Sequence, residues 1–178
     1  MVVTIDNVLT ADELAAIRGQ LASATWATGI SAGAQAALVK HNQQLPEDAP
    51  ELPTMRTTVM RALNRSPLLL SAALPYKILP PNFNRYSGKT NAYGAHVDST
   101  VRYLSDGSVL RTDLSATLFL SEPEEYEGGN SPSKTFMVSN ASNSGLAVSS
   151  SIHLARCIKS FQSPGARGSR ATCSCKVW

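Results

Sequence analysis

The stretch that decides the fold runs from Phe83 to Arg102 and reads FNRYSGKTNAYGAHVDSTVR. At its centre, His96, Val97 and Asp98 set an imidazole and a carboxylate two residues apart. On a β-strand, side chains at i and i+2 leave the same face, so both can reach one metal ion. A neutral imidazole and an ionised carboxylate are two of the three ligands of a 2-His-1-carboxylate site, which keeps open positions for O2 and an organic cosubstrate. The second histidine of such a site arrives from a distant strand. Taken alone, His-x-Asp reads as a surface turn or a hydrogen-bonded pair; the residues around it decide.

Downstream, 111–129 reads RTDLSATLFLSEPEEYEGG, in which Thr117 and Phe119 alternate with Leu118 and Leu120. That period of two predicts a strand, with one face lining a pocket and the other packed in a core. Upstream the period lengthens. Thr10 and Glu13 make a capping box, and Leu14, Ile17 and Leu21 follow at helical spacing, so a first helix is expected to end near Thr25. Residues 27–50 read as irregular. Pro53 suits an early helical position. Met55, Val59, Met60 and Leu63 supply an apolar face, and Ser66-Pro67 ends this second helix. From Tyr76 the segments are short, β-rich and separated by turn residues. The fold class expected is α+β. It has a helical N-terminal region over 1–75 and a β domain over 76–178, with residues 130–178 aberrant.

The same segments carry a resemblance. FNRYSGKTNAYGAHVDSTVR and RTDLSATLFLSEPEEYEGG resemble the PKHD-type hydroxylase family of Fe(II)/2-oxoglutarate dioxygenases, which are prolyl-4-hydroxylase-like. So do GAQAALVKHNQQL (33–45) and LLLSAALPYKILPPNFNRY (68–86). The match covers 1–129 in order. It implies a double-stranded β-helix, or jelly roll, with His96 and Asp98 as two iron ligands. It implies that Tyr86 lines the 2-oxoglutarate pocket; an ordinary core aromatic explains Tyr86 equally well. Tyr126, Glu127, Gly128 and Gly129 resemble the turn that launches the next barrel strand. The implied cofactors are Fe(2+), 2-oxoglutarate as cosubstrate and L-ascorbate (vitamin C) to keep iron reduced. The implied partners are O2 and an organic molecule to be hydroxylated, with succinate and CO2 released. His41 is expected on a solvated loop, without a role.

Charge marks where the resemblance stops. The chain has a net charge of +3. All 13 acidic residues lie in 1–129 beside 10 Lys and Arg, giving 10 − 13 = −3. The last 49 residues hold six Lys and Arg and no acid, giving +6, together with twelve serines and the three cysteines, Cys157, Cys173 and Cys175. Basic tails can bind nucleic acid, but this one lacks dense Lys/Arg clusters, and its C-x-C pair has no partners at zinc-site spacing. The N-terminus MVVTIDNVLTADEL has no basic n-region, and the apolar run Leu68–Pro75 is too short to cross a bilayer. The expectation is a cytoplasmic protein with neither nucleic acid nor membrane as partner, its oligomeric state left open.

Past Gly129 the family pattern continues with E-L-V-I, then Y-P-S-S-S-L-H and T-R-G-x-R, which bring the second iron histidine and the arginine for the 5-carboxylate of 2-oxoglutarate. Here the chain reads NSPSKTFMVSNASNSG instead. A one-nucleotide frame slip at the Gly129 codon accounts for the change. With permitted codon choices, reading across codon boundaries gives E-L-T-I-E-D-x-Y-G-V-Q-R-V-K-L, then L-V-L-Y-P-S-S-S-L-H-Q-V and P-V-T-R-G-A-R-V-A. The glycine after the first tyrosine is forced, because the Met137 codon ends in G and the Val138 codon begins GT. The missing histidine straddles Cys157 and Ile158, and the missing arginine straddles Arg167 and Gly168. His153 is read as an incidental tail histidine, because no strand pattern positions it and Ser163 stands where an arginine is needed.

The function expected is therefore an oxidoreductase of the 2-oxoglutarate-dependent dioxygenase class, impaired or inactive in this chain. A second class is a non-catalytic jelly-roll binding module. A metal-dependent hydrolase using His96 and Asp98 ranks last, since only His41 and His153 remain as further histidines.

Overall fold

The computed structural model describes residues 2–28, 40–87, 92–93, 101–104, 106–121, 151–156 and 172–177. Helix α1 (Ala11–Ser23) starts at the capping box expected from the sequence. The Thr10 backbone N–H donates to Glu13 Oε2 at 2.9 Å, and the Glu13 N–H donates to Thr10 Oγ1 at 3.2 Å. Its apolar residues Leu14, Ile17 and Leu21 are buried. Helix α2 (Leu52–Arg65) carries Pro53 in its first turn, where a missing N–H costs nothing. It buries Leu52, Met55, Val59, Ala62 and Leu63, whereas Met60 is only half-buried. Ser66 both ends α2 and starts a third helix that the sequence reading did not foresee, α3 (Pro67–Ala73), by accepting the Leu69 N–H.

The N-terminal part is not wholly helical. Strand β1 (Val2–Asp6) precedes α1, and β2 (Ala27–Thr28), β3 (Lys40–His41) and β4 (Gln43–Gln44) fall in the stretch expected to be irregular. Alternation cannot register in strands of two residues, so pairing with distant segments creates them. His41, expected on a loop, lies in β3, paired with β6 (Ala92–Tyr93). The remaining strands are β5 (Asn82–Tyr86), β7 (Val101–Tyr103), β8 (Val109–Arg111), β9 (Leu114–Phe119), β10 (Ser151–Arg156) and β11 (Thr172–Val177).

Seven strands form the main sheet in the order β1-β10-β9-β11-β5-β4-β2, each neighbouring pair antiparallel. Strands β10 and β11 both come from the tail, and they pair with both sides of β9. The absence of acid and the serine excess do not prevent this, because sheet pairing uses backbone groups that every non-proline residue carries.

Register separates the two faces of the sheet. Ile5, Ile152, Leu118, Cys175 and Phe83 lie on one row across five strands. Ile5, Leu118 and Phe83 of that row belong to the core shared with α1 and α2. The adjacent row is Thr4, His153, Thr117, Lys176 and Asn82. On β9, Ala116 and Leu118, with Leu120 just beyond, are the core residues. Thr117 and Phe119 therefore belong to the face turned away from the helices, hereafter the inner face.

Candidate functional site

Tyr86 ends β5 on the inner face, 5% exposed. Phe83 and Arg85 take the opposite parity. Phe83 joins the helical core, while the Arg85 guanidinium lies 4.6 Å from the Trp26 ring centroid and its Nε–H donates to Gln43 Oε1. Asn82 and Asn84 share the parity of Tyr86, and Asn84 is 7% exposed. Strand β4 pairs Gln43 with Arg85 and Gln44 with Asn84, so one further step brings Asn42 level with Tyr86. Asn42 is 2% exposed and donates from Nδ2 to Asn84 Oδ1 at 2.8 Å. A buried row of amides thus runs beside the tyrosine. Sequence reasoning passed over Asn42 and Asn84; the only cue was amide side chains in segments that also hold buried apolar residues.

His96 and Asp98 lie outside the described residues. Strand β6 ends at Tyr93, three residues before His96, and pairs with β3. The small β3–β6 sheet joins the main sheet through Asn42. As a donor set, an imidazole and a carboxylate suit a ferrous ion and leave positions for small ligands. Among the described residues, no group of three His, Cys, Asp or Glu could hold a metal.

His153 has a strand position, contrary to the sequence reading. It sits on β10 opposite Thr117 of β9 and Thr4 of β1, because backbone pairing aligns a segment that lacks clear alternation. Lys176 of β11 takes the place opposite Thr117 on its other side. A cavity of about 220 Å³ is lined by Leu63, Leu69, Ala73, Ile78, Leu110 and Ala116, among others, on the core side of the sheet.

Charge on the core side is held by ion pairs between helix ends and neighbours. Glu13 receives two hydrogen bonds from Arg65, at 3.0 and 2.7 Å. That guanidinium, with the Thr10 backbone N–H, lowers the Glu13 pKa from 4.5 to about 2. Arg56 holds Glu47 through two bonds of 2.8 Å and depresses its carboxyl too. Arg56 also reaches the Pro81 carbonyl and Asn82 Oδ1, so α2 is tied to the start of β5.

No protein-family model matches the chain. A PKHD-type hydroxylase of Nitrosomonas eutropha is 59% identical over 131 residues, which is 72% of this chain and 58% of that protein. Over this section the chain is homologous to the PKHD-type hydroxylases. Another of these hydroxylases, from an Azoarcus species, is 52% identical over 130 residues, 72% of this chain and 57% of its own length. The chain spans a little under three fifths of the length of the curated PKHD-type hydroxylases it matches. The matched share has the length expected for 1–129, since 129/178 is 72%.

Solved structures give the fold. A prolyl-4-hydroxylase from Pseudomonas putida superposes with a TM-score of 0.56 at 16% identity, over 99% of this chain and 91% of that one. HygX from Streptomyces hygroscopicus, with nickel, 2-oxoglutarate and hygromycin B bound, superposes with a TM-score of 0.50 at 14% identity, over 99% and 82%. The α+β architecture with its antiparallel sheet is that of these two structures. Among the described residues, no helix is long and apolar enough to cross a membrane.

Proposed function

We propose that the chain derives from an Fe(II)- and 2-oxoglutarate-dependent hydroxylase and that, as it stands, it turns over little or nothing. The observation that carries the first half is homology to PKHD-type hydroxylases at 59% identity, over a section whose length accommodates His96-Val97-Asp98. His96 and Asp98 hold the iron in this reading, and Tyr86 donates its hydroxyl to the cosubstrate. Bound iron with 2-oxoglutarate supplies the oxidising chemistry: one oxygen of O2 goes to a substrate C–H as hydroxyl, the other to succinate, and CO2 leaves. The protein's part is to fix ligand geometry, hold the dicarboxylate and keep water out. Ascorbate keeps the iron reduced, and the enzyme works in the cytoplasm. Residues 1–75 and 76–178 serve as front and oxygenase domain, the barrel being incomplete towards its C-terminus.

The second half rests on the tail. The histidine and arginine that complete the family pattern are not in the chain's sequence, and two ligands without a third bind iron poorly. An unpaired far carboxylate on the cosubstrate weakens its binding further. A lost base near the Gly129 codon is the proposed cause. The genomic sequence across codons 127–132 tests it, and an intact frame encoding NSPSKTF refutes it. Iron-dependent succinate formation by the purified chain, at rates matching a frame-corrected version, would refute the impairment.

A second reading is favoured by β10 and β11. Because tail strands fill the main sheet, a folded jelly-roll module that binds small molecules without catalysis is supported too. It requires a cooperative melt and ligand binding that is indifferent to iron chelators.

A further inference from the structure

Every large apolar side chain that is exposed among the described residues lies in one of two segments. Leu68, Leu74 and Tyr76 belong to the first, and Val101, Tyr103 and Val109 to the second. Both segments meet at the cavity of about 220 Å³ on the core side of the sheet. The first supplies Leu74 and Tyr76 to its lining, and the β7–β8 hairpin reaches it through Leu110 and Arg111. Apolar residues scattered singly over a surface are ordinary, but a cluster around one hollow marks a place where something binds. Leu74 adds a second sign. It is 82% exposed, and its backbone is left-handed at φ 43° and ψ 53°, a conformation that costs a leucine more than a glycine or an asparagine. An exposed leucine gains little there for the fold, and an outlier of that kind points to function.

The floor of the cavity is uncharged, with Leu63, Leu69 and Ala116 buried there. Three charged residues line it, all of them exposed. Arg111 and Asp113 satisfy each other, with Nε–Oδ1 at 3.0 Å and Nη2–Oδ2 at 3.1 Å. Lys77 has neither a hydrogen bond nor an ion pair among the described residues. Asp106 lies near enough to feel its charge, but Asp106 Oδ1 already accepts from the Ser108 N–H and Oγ–H at 2.9 and 2.6 Å. One ammonium is thus left at the mouth of an apolar hollow. We infer that this cavity binds a small monocarboxylate with an aliphatic or aromatic body, the body against Leu63, Leu69 and Leu74 and the carboxylate towards Lys77. A cavity of ~150 Å³ lined by Leu, Ile and Phe takes up benzene, so 220 Å³ suits a chain of about eight carbons. The site lies across the sheet from Tyr86 and depends on neither iron nor 2-oxoglutarate.

Calorimetric titrations of the full chain at neutral pH with sodium octanoate and with octylamine hydrochloride test it, since these probes share a tail and differ in the sign of the head. Octanoate is expected to bind about tenfold more tightly, an exposed attraction for one probe adding to an exposed repulsion for the other. In Lys77→Met, which keeps an unbranched side chain and drops the charge, that ratio falls to near one. Leu74→Gly suits the left-handed backbone and removes only an exposed side chain, so the fold is kept, while both probes bind about fivefold more weakly. Equal affinity for the two probes in the native chain, no binding of octanoate at millimolar concentration, or a ratio unchanged by Lys77→Met overturns the inference. So does an octanoate affinity unchanged in Leu74→Gly, which marks binding elsewhere on the protein. If sedimentation shows a dimer that Leu74→Gly dissolves and octanoate does not, a second copy of the chain covers the cavity and the inference falls.

Discussion

Replacing Glu13 by Ala should make the protein's stability lose part of its dependence on pH. Glu13 is the third residue of α1, and its carboxylate does two things. It closes the capping box on the Thr10 N–H, and it takes both terminal nitrogens of Arg65 at the end of α2, so it ties the start of one core helix to the end of the next. The capping half is worth ~1 kcal/mol. The Arg65 half adds little, because the guanidinium is about half exposed and solvent screens the pair. For a chain of this size the cap alone corresponds to a melting shift of about 2–4 °C. The sign follows from the lowered pKa. Below its ordinary 4.5, an unfolded Glu13 binds a proton while the folded one stays ionised until about 2. The contribution is therefore complete above pH 4.5 and is lost as the pH falls towards 2. Urea melts of native protein and Glu13→Ala, at neutral pH and stepwise down to pH 2, should show a gap that narrows over that window. A gap of constant size, or none at neutral pH, would refute the argument that this carboxylate is held by the Thr10 N–H and Arg65.

Other outcomes follow from the core and the site. Leu118→Ala removes a fully buried side chain from β9 and should cost about 2–5 kcal/mol in a urea melt; a loss under about 1 kcal/mol would take Leu118 out of the core. His96→Ala should weaken Mn(II) binding by at least the ~10-fold that disturbing an outer hydrogen bond costs a metal site, measured by electron paramagnetic resonance, and unchanged affinity would remove His96 from the ligand set. Tyr86→Phe should raise the Kd for 2-oxoglutarate about fivefold in calorimetric titrations with Mn(II), whereas equal binding would leave Tyr86 a core aromatic. In a frame-corrected protein, iron-dependent succinate formation should appear and vanish again with Asp98→Asn; activity that survives that change would sink the metal assignment.

Local chemistry made much of this protein legible in one dimension. The Thr10–Glu13 box, the 3.6-residue spacing of Leu14, Ile17 and Leu21, and the alternation around Leu118 are short-range signals, since each depends on residues within a turn or two of one another. The same holds for the family resemblance over 129 residues. Tertiary structure alone decided what depends on distant partners. Two-residue strands such as Gln43–Gln44 exist because β5 lies alongside them. The strands at 151–156 and 172–177 exist because β9 offers unpaired backbone on both sides. His153 obtains a register position that its own neighbours do not predict. Asn42 gains a buried partner only because Asn84, forty-two residues later, points its carbonyl oxygen at it. Backbone hydrogen bonds and amide polarity carry no sequence period, so their outcome is written only when the chain closes on itself.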